Sequence, residues 1–170
     1  QAAVRNDIVI NEVLFDPNDG GTDFVEIYNR SNKVIDLHTI SLCTADTINH
    51  LLSEINNIAP EGYLFFPSSY LVLSESGISV QQQYPNETNI DLCLDMTNIP
   101  SMNVDGDIVV LADTGSHIID SLVYLSSWHF PLLQNTKGVS LERIDFERED
   151  RKSTRLNSSH VSESRMPSSA

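Results

Sequence analysis

Residues 8–29 (IVINEVLFDPNDGGTDFVEIYN) limit the folds open to this chain more than any other stretch. Ile8, Val9, Ile10, Val13 and Leu14 form one β-branched-rich run, and Phe24, Val25, Ile27 and Tyr28 form a second. Such side chains suit a pleated, half-buried surface and lose rotamer freedom in a helix, so both runs are predicted as strands. Between them, Asp16-Pro17-Asn18-Asp19-Gly20-Gly21 has turn chemistry. Proline fixes φ, glycine supplies positive φ, and Asn and Asp bond their own backbone. Each strand also carries one carboxylate among its apolar residues, Glu12 in the first and Glu26 in the second. A carboxylate in a strand that feeds a core must find hydrogen-bond donors.

Short apolar runs recur down the chain. Ile35, Leu37, Ile40 and Leu42 alternate with polar residues except for one slip between 37 and 40, the mark of a β-bulge. Ile48, Leu51, Leu52 and Ile55 instead show the i, i+3, i+4, i+7 spacing of a short amphipathic helix within 45–58. Tyr63–Phe66 and Tyr70–Leu73 flank Pro67-Ser68-Ser69. One or two helical turns are predicted over Gly77–Tyr84, with Ser79 as N-cap and Pro85 as the stop. Asp107–Ala112 and Ile118–Tyr124 read as a hairpin around Asp113-Thr114-Gly115-Ser116, and Gly138–Ile144 as the last strand. Trp128, Phe130, Leu132 and Leu133 are expected to cover one end of the core. The whole predicts an all-β sandwich of roughly 7–9 strands with one or two short helical turns.

At 170 residues and 40% apolar content the chain suits one domain with a sizeable core. No run approaches the roughly 18 apolar residues of a membrane-spanning helix. The net charge of −14 is unevenly placed: residues 1–150 hold 23 acidic side chains against 6 Lys and Arg, whereas the last twenty hold 4 basic against 1 acidic. A body this acidic repels nucleic-acid phosphates, so a nucleic-acid partner is not expected. Residues 1–6 read as a linker and 7–148 as the sandwich. Residues 149–170 are serine-rich, aperiodic and similar to translated adaptor or vector sequence, so they are expected to form a disordered tail. The opening Gln1-Ala2-Ala3, without an initiator Met, resembles an internal fragment of a longer protein.

Several ordered motifs together resemble the lamin tail domain family in its bacterial secreted form. They are Ile10-Asn11-Glu12-Val13 with Asp16-Pro17, then Phe24-Val25-Glu26-Ile27-Tyr28-Asn29, Ile35-Asp36-Leu37 and Ala59-Pro60. Tyr70-Leu71-Val72-Leu73, Asp105-Gly106-Asp107 and Val109-Val110-Leu111 follow, then Asp120-Ser121-Leu122-Val123-Tyr124, Trp128 and Gly138-Val139-Ser140-Leu141-Glu142-Arg143. The resemblance spans roughly residues 7–146 and implies an immunoglobulin-like sandwich. It implies structural roles for Asn11, Glu12, Glu26, Asn29 and Trp128, and a setting outside the cell or on its surface. The chain departs from the family at His38-Thr39-Ile40, where a glycine and an aromatic are common, and after Arg143, where a Trp-containing segment is replaced by the serine-rich tail.

Candidate sites admit two readings each. Glu12 and Glu26 resemble the carboxylate pair of a glycosidase, or else anchor strands by accepting backbone N–H bonds. The family is not known for catalysis, which favours the second reading and leaves no catalytic residue assigned. On that reading Glu26→Gln costs about 1–2 kcal/mol. Asp16, Asn18, Asp19 and Asp23 offer hard oxygen donors at close spacing, as a Ca²⁺ site requires, while the adjoining Gly20-Gly21 suits a plain turn. Cys43 and Cys93 allow one disulfide or two buried thiols. His38, His50, His117, His129 and His160 lack metal-site spacing and read as surface or packing residues. The expected function is a non-catalytic interaction or spacer module of a larger secreted or cell-surface bacterial protein, its partner an extracellular protein, a polysaccharide or a neighbouring domain. The alternative is a substrate-binding accessory domain of an extracellular nuclease or glycosidase.

Overall fold

A computed structural model describes residues 1–46, 48–49, 51–146 and, by backbone alone, 156–158. In chain order the strands are β1 (Ile8–Leu14), β2 (Phe24–Asn29), β3 (Ile35–Asp36), β4 (Ile40–Ala45), β5 (Leu52–Asn57), β6 (Leu64–Phe65) and β7 (Tyr70–Ser74). Helix α1 (Gly77–Gln83) follows, then β8 (Cys93–Asp95), β9 (Gly106–Asp113), β10 (Ile118–Leu125), β11 (Leu141–Arg143) and β12 (Leu156–Ser158). One sheet has the order β12-β11-β1-β2-β7-β8, a second β10-β9-β4-β5, and a small third β3-β6. The two large sheets bury one core between them, built from Ile8, Ile10, Val13, Val25, Ile27, Leu71 and Leu73 on one side and Ile40, Leu42, Val109, Leu111, Leu122 and Tyr124 on the other. Each such side chain contributes about 1.5–3 kcal/mol on leaving water. The fold is thus an immunoglobulin-like β-sandwich, as the strand pattern predicts. Its strands exceed the expected number because five of them, β3, β6, β8, β11 and β12, are only two or three residues long.

Several local expectations are corrected. The slip between Leu37 and Ile40 is a 3₁₀ turn over Leu37–Thr39 and not a bulge; Asp36 caps it by accepting from His38 N at 3.0 Å. Among the described residues of 45–58 no helix forms. Asp46 turns the chain by accepting from Ile48 N and Asn49 N, and β5 returns antiparallel to β4. The helical spacing there faces no core, since Ile48, Leu51 and Ile55 are all exposed. Glu54, in the middle of β5, has a left-handed φ of 49°, which breaks the regularity of this outermost strand. α1 forms where expected, but its N-cap is Ser76, whose hydroxyl accepts from Ser79 N at 3.2 Å. Of the apolar residues in the Trp128–Leu133 segment, Trp128 packs against the core, while Phe130 and Leu132 are exposed.

The first six residues lie along the body: Gln1 donates to Val34 O, and Asn6 N to Ile119 O. Of the tail expected to be disordered, Leu156–Ser158 runs antiparallel to β11, and the rest lies outside the described residues. His50 and His160 also lie outside them. No helix among the described residues is long and apolar enough to cross a membrane.

Candidate functional site

The outer face of the six-stranded sheet collects most of the distinctive residues. β1 bulges between Ile10 and Glu12, and beyond the bulge Glu12 stands directly opposite Glu26 on β2 and Glu142 on β11. Three carboxylates therefore lie in one row across three adjacent strands. On one side of the row α1 lays Val80 and neighbouring Tyr84 over Leu14, Phe24 and Val72. On the other, Tyr28 stacks between Tyr70 (4.5 Å) and Phe146 (5.4 Å).

Side chains, not backbone amides, hold the carboxylates, which corrects the expected mode of anchoring. Ser140 Oγ donates to Glu12 Oε1. Asn11, the bulge residue, donates its Nδ2 to Glu26 Oε1 at 2.7 Å. Burial pushes Glu12 well above the usual carboxylate range, with Glu142 adding to the effect and the Ser140 bond opposing it. Glu26 is raised by burial first, then by Glu12, against the opposing bond from Asn11. Among the described residues no Lys or Arg pairs with the row. Like charges at this spacing disfavour double ionisation, so the pair holds a proton well above the usual carboxylate range.

The remaining candidates fall in separate places. Asn29 is buried and makes a full set of bonds: its Nδ2 reaches Lys33 O (2.9 Å) and Phe65 O (3.0 Å), and its Oδ1 accepts from Ser31 N and Ser31 Oγ. Asp16, Asn18, Asp19 and Asp23 do not converge on one point. Asp19 is exposed and paired with Lys137 Nζ at 2.5 Å, the Asn18 carbonyl accepts from Gly21 N, and the Asp16 carbonyl accepts from Gly138 N. Asp23 is pushed up to about 6 by burial, then by Asp16 and Glu75. Among the described residues, no group of three or more His, Cys, Asp or Glu is disposed to hold a metal ion. Cys43 and Cys93 are free thiols. The bridge weighed between them does not form, because Cys43 lies on the face of β4 that packs with Val110 and Ala112, away from the common core, and Cys93 on the edge strand of the other sheet.

Sequence reasoning missed three anchors. Asp120 is buried and accepts from Ile10 N (2.7 Å) and from Arg143 Nη2 (3.0 Å), joining β10 of one sheet to β1 and β11 of the other. β11 reaches only Glu12 and Val13 of β1, so the Ile10 N–H has Asp120 in place of a ladder partner. A register irregularity in β10 just before Asp120 accompanies this placement. Ser140 is the second anchor. The third is His129, buried and in contact with two carbonyl oxygens, which its plain sequence neighbourhood gave no reason to single out.

Sandwich topology, the bulged first strand and its Glu–Glu cross-strand pair define a small β-sandwich module of immunoglobulin type. The lamin tail domain family matches residues 1–126, and the chain belongs to that family. The match ends before Trp128 and before the Gly138–Arg143 motif. A search of curated proteins finds no match.

Proposed function

We propose that this domain is a non-catalytic interaction or spacer module of a larger protein that is secreted or displayed on a bacterial cell surface. The supporting observation is the state of its two motif carboxylates. Glu12 and Glu26 face each other across adjacent strands, each is already bonded within the fold, and burial raises both above the usual carboxylate range. A glycosidase needs its two carboxyls on either side of a scissile bond, at least about 5 Å apart with substrate between them. Here one oxygen of each carboxyl is already bonded within the fold, by Ser140 and by Asn11. The acidic balance of residues 1–150 favours an extracellular protein, a neutral polysaccharide or an adjoining domain as partner over nucleic acid. One feature favours the accessory-domain alternative: the Tyr70–Tyr28–Phe146 stack is an aromatic strip on a sheet face, and such strips suit substrate contact.

The test is hydrolysis of polysaccharide and DNA substrates by the purified chain, alongside binding to a glycan panel. No turnover is expected. Turnover that Glu12→Gln abolishes, in a variant whose unfolding transition is intact, would overturn the non-catalytic reading. Glycan binding lost in Tyr28→Ala would move the function to the accessory alternative.

A further inference from the structure

Three stretches of the chain carry Asn-x-Ser/Thr, the acceptor pattern for N-linked sugars: Asn29-Arg30-Ser31, Asn86-Glu87-Thr88 and Asn157-Ser158-Ser159. The pattern is short and recurs by chance, so the fold decides which asparagine a transferase can reach. Asn29 is out of reach. It is fully buried, and its Nδ2 already donates to Lys33 O and Phe65 O, while the Ser31 hydroxyl donates to its Oδ1. Asn157 stands in β12, paired with Glu142.

Asn86 is placed differently. α1 ends at Gln83, and Pro85 cannot continue the helix, so the chain leaves it in a surface turn. Pro85, Asn86 and Glu87 are exposed and Thr88 is half-buried. Two backbone bonds tie the turn back, from Glu87 N and Thr88 N, and both end on one acceptor, Tyr84 O (3.2 and 3.0 Å). Among the described residues no partner holds the Asn86 amide or the Thr88 hydroxyl. Firm anchoring resumes at Asn89, whose Oδ1 accepts from Asp91 N and caps the 3₁₀ turn over Ile90–Leu92. Residues 85–88 thus form an exposed turn between two capped elements, and a turn held by so few bonds opens locally at low cost.

We propose that Asn86 is an acceptor site for an N-linked sugar on the folded domain, with Thr88 as the hydroxyl residue that the transferase reads. In the transfer, Asn86 Nδ2 bonds to the anomeric carbon of a sugar carried as a glycosyl diphosphate. The carbon–oxygen bond to the diphosphate breaks, the diphosphate leaves with that electron pair, and the amide gives up one proton to solvent. The assignment rests on the proposed secreted or surface setting for its use in the cell.

The purified full chain, incubated with a soluble N-glycosyltransferase that reads Asn-x-Ser/Thr and with nucleotide-activated glucose, tests the site wherever the domain resides. Peptide mapping by mass spectrometry should find one hexose on Asn86 and none on Asn29. Transfer to Asn86 should be lost in Asn86→Gln and in Thr88→Ala and should return in Thr88→Ser, with the unfolding transition of each variant intact. A folded chain left bare at Asn86, equal transfer to Asn29, or transfer that persists in Thr88→Ala would each overturn the site. The setting is read separately, by antibody access to the domain on intact cells: a domain found only inside them would overturn the setting and leave the acceptor chemistry of Asn86 standing.

Discussion

At Glu26 the nearest donor is a side-chain amide and the nearest neighbour across the strand is another carboxylate. The folded state raises this group above its unfolded value, the reverse of the usual Glu case. Folding then takes up protons between the ordinary carboxylate range and the raised value, and stability declines as pH rises through that window. Glu26→Gln removes the like charge and keeps an acceptor. It is predicted to increase the unfolding free energy by about 1–2 kcal/mol above neutrality and to change it little in acid, as measured by urea titration at both pH values. This reverses the cost expected from sequence, which assumed backbone donors that the structure does not supply. Asn29 is the opposite case. Its amide is buried with both ends bonded, so Asn29→Ala should cost about 2–4 kcal/mol in the same titration. The thiols separate by access: Cys43 is fully buried and pushed up to about 11, so native-state alkylation should label Cys93 first and reach Cys43 only on unfolding.

Among the elements, the long ones were readable because periodicity and burial agree. β1, β2, β9 and β10 combine β-branched runs with clear turn signals; all four form, and β9 and β10 pair as the expected hairpin. Short elements were not readable, because one hydrogen bond decides them. Asp36 closes a 3₁₀ turn where alternation alone suggests a bulge. The apolar spacing of 48–55 imitates a helix face, yet pairing with β4 outweighs it, since a helix there would have no core to bury against. At α1, Ser76 and Ser79 both satisfy the N-cap preference, and geometry selects Ser76. Ser76→Ala should therefore lower thermal stability by about 1 kcal/mol while Ser79→Ala costs less, a comparison that calorimetry resolves. The candidate site was legible in part for the same reason. Its residues stand in the motif, but the row they form depends on a bulge and on β11 arriving more than a hundred residues later, and local pattern carries neither.

Across the whole molecule, Asp120 links the two large sheets through one carboxylate, with a charged partner on β11 and a backbone N–H on β1. Burial pushes its carboxyl up and Arg143 pulls it down, so the pair is one in which neither partner tolerates removal of the other. Asp120→Ala should cost about 3–5 kcal/mol, because it leaves Arg143 without its counter-charge and Ile10 N without an acceptor. Adding Arg143→Met should recover part of that loss in the double variant, read from the same denaturation midpoints.

The left-handed residue at Glu54 carries a different consequence. β5 closes its sheet toward solvent, and a straight strand there would offer a ready ladder to any other strand. The kink at Glu54, with its own carbonyl taken by Asn56 Nδ2 and its carboxylate by Ser101 N, spoils that ladder at its midpoint. Copies threaded in tandem meet at roughly millimolar effective concentration, where open edges fuse into extended sheet. With this edge bent, β5 offers no regular ladder to a neighbouring copy in such an array.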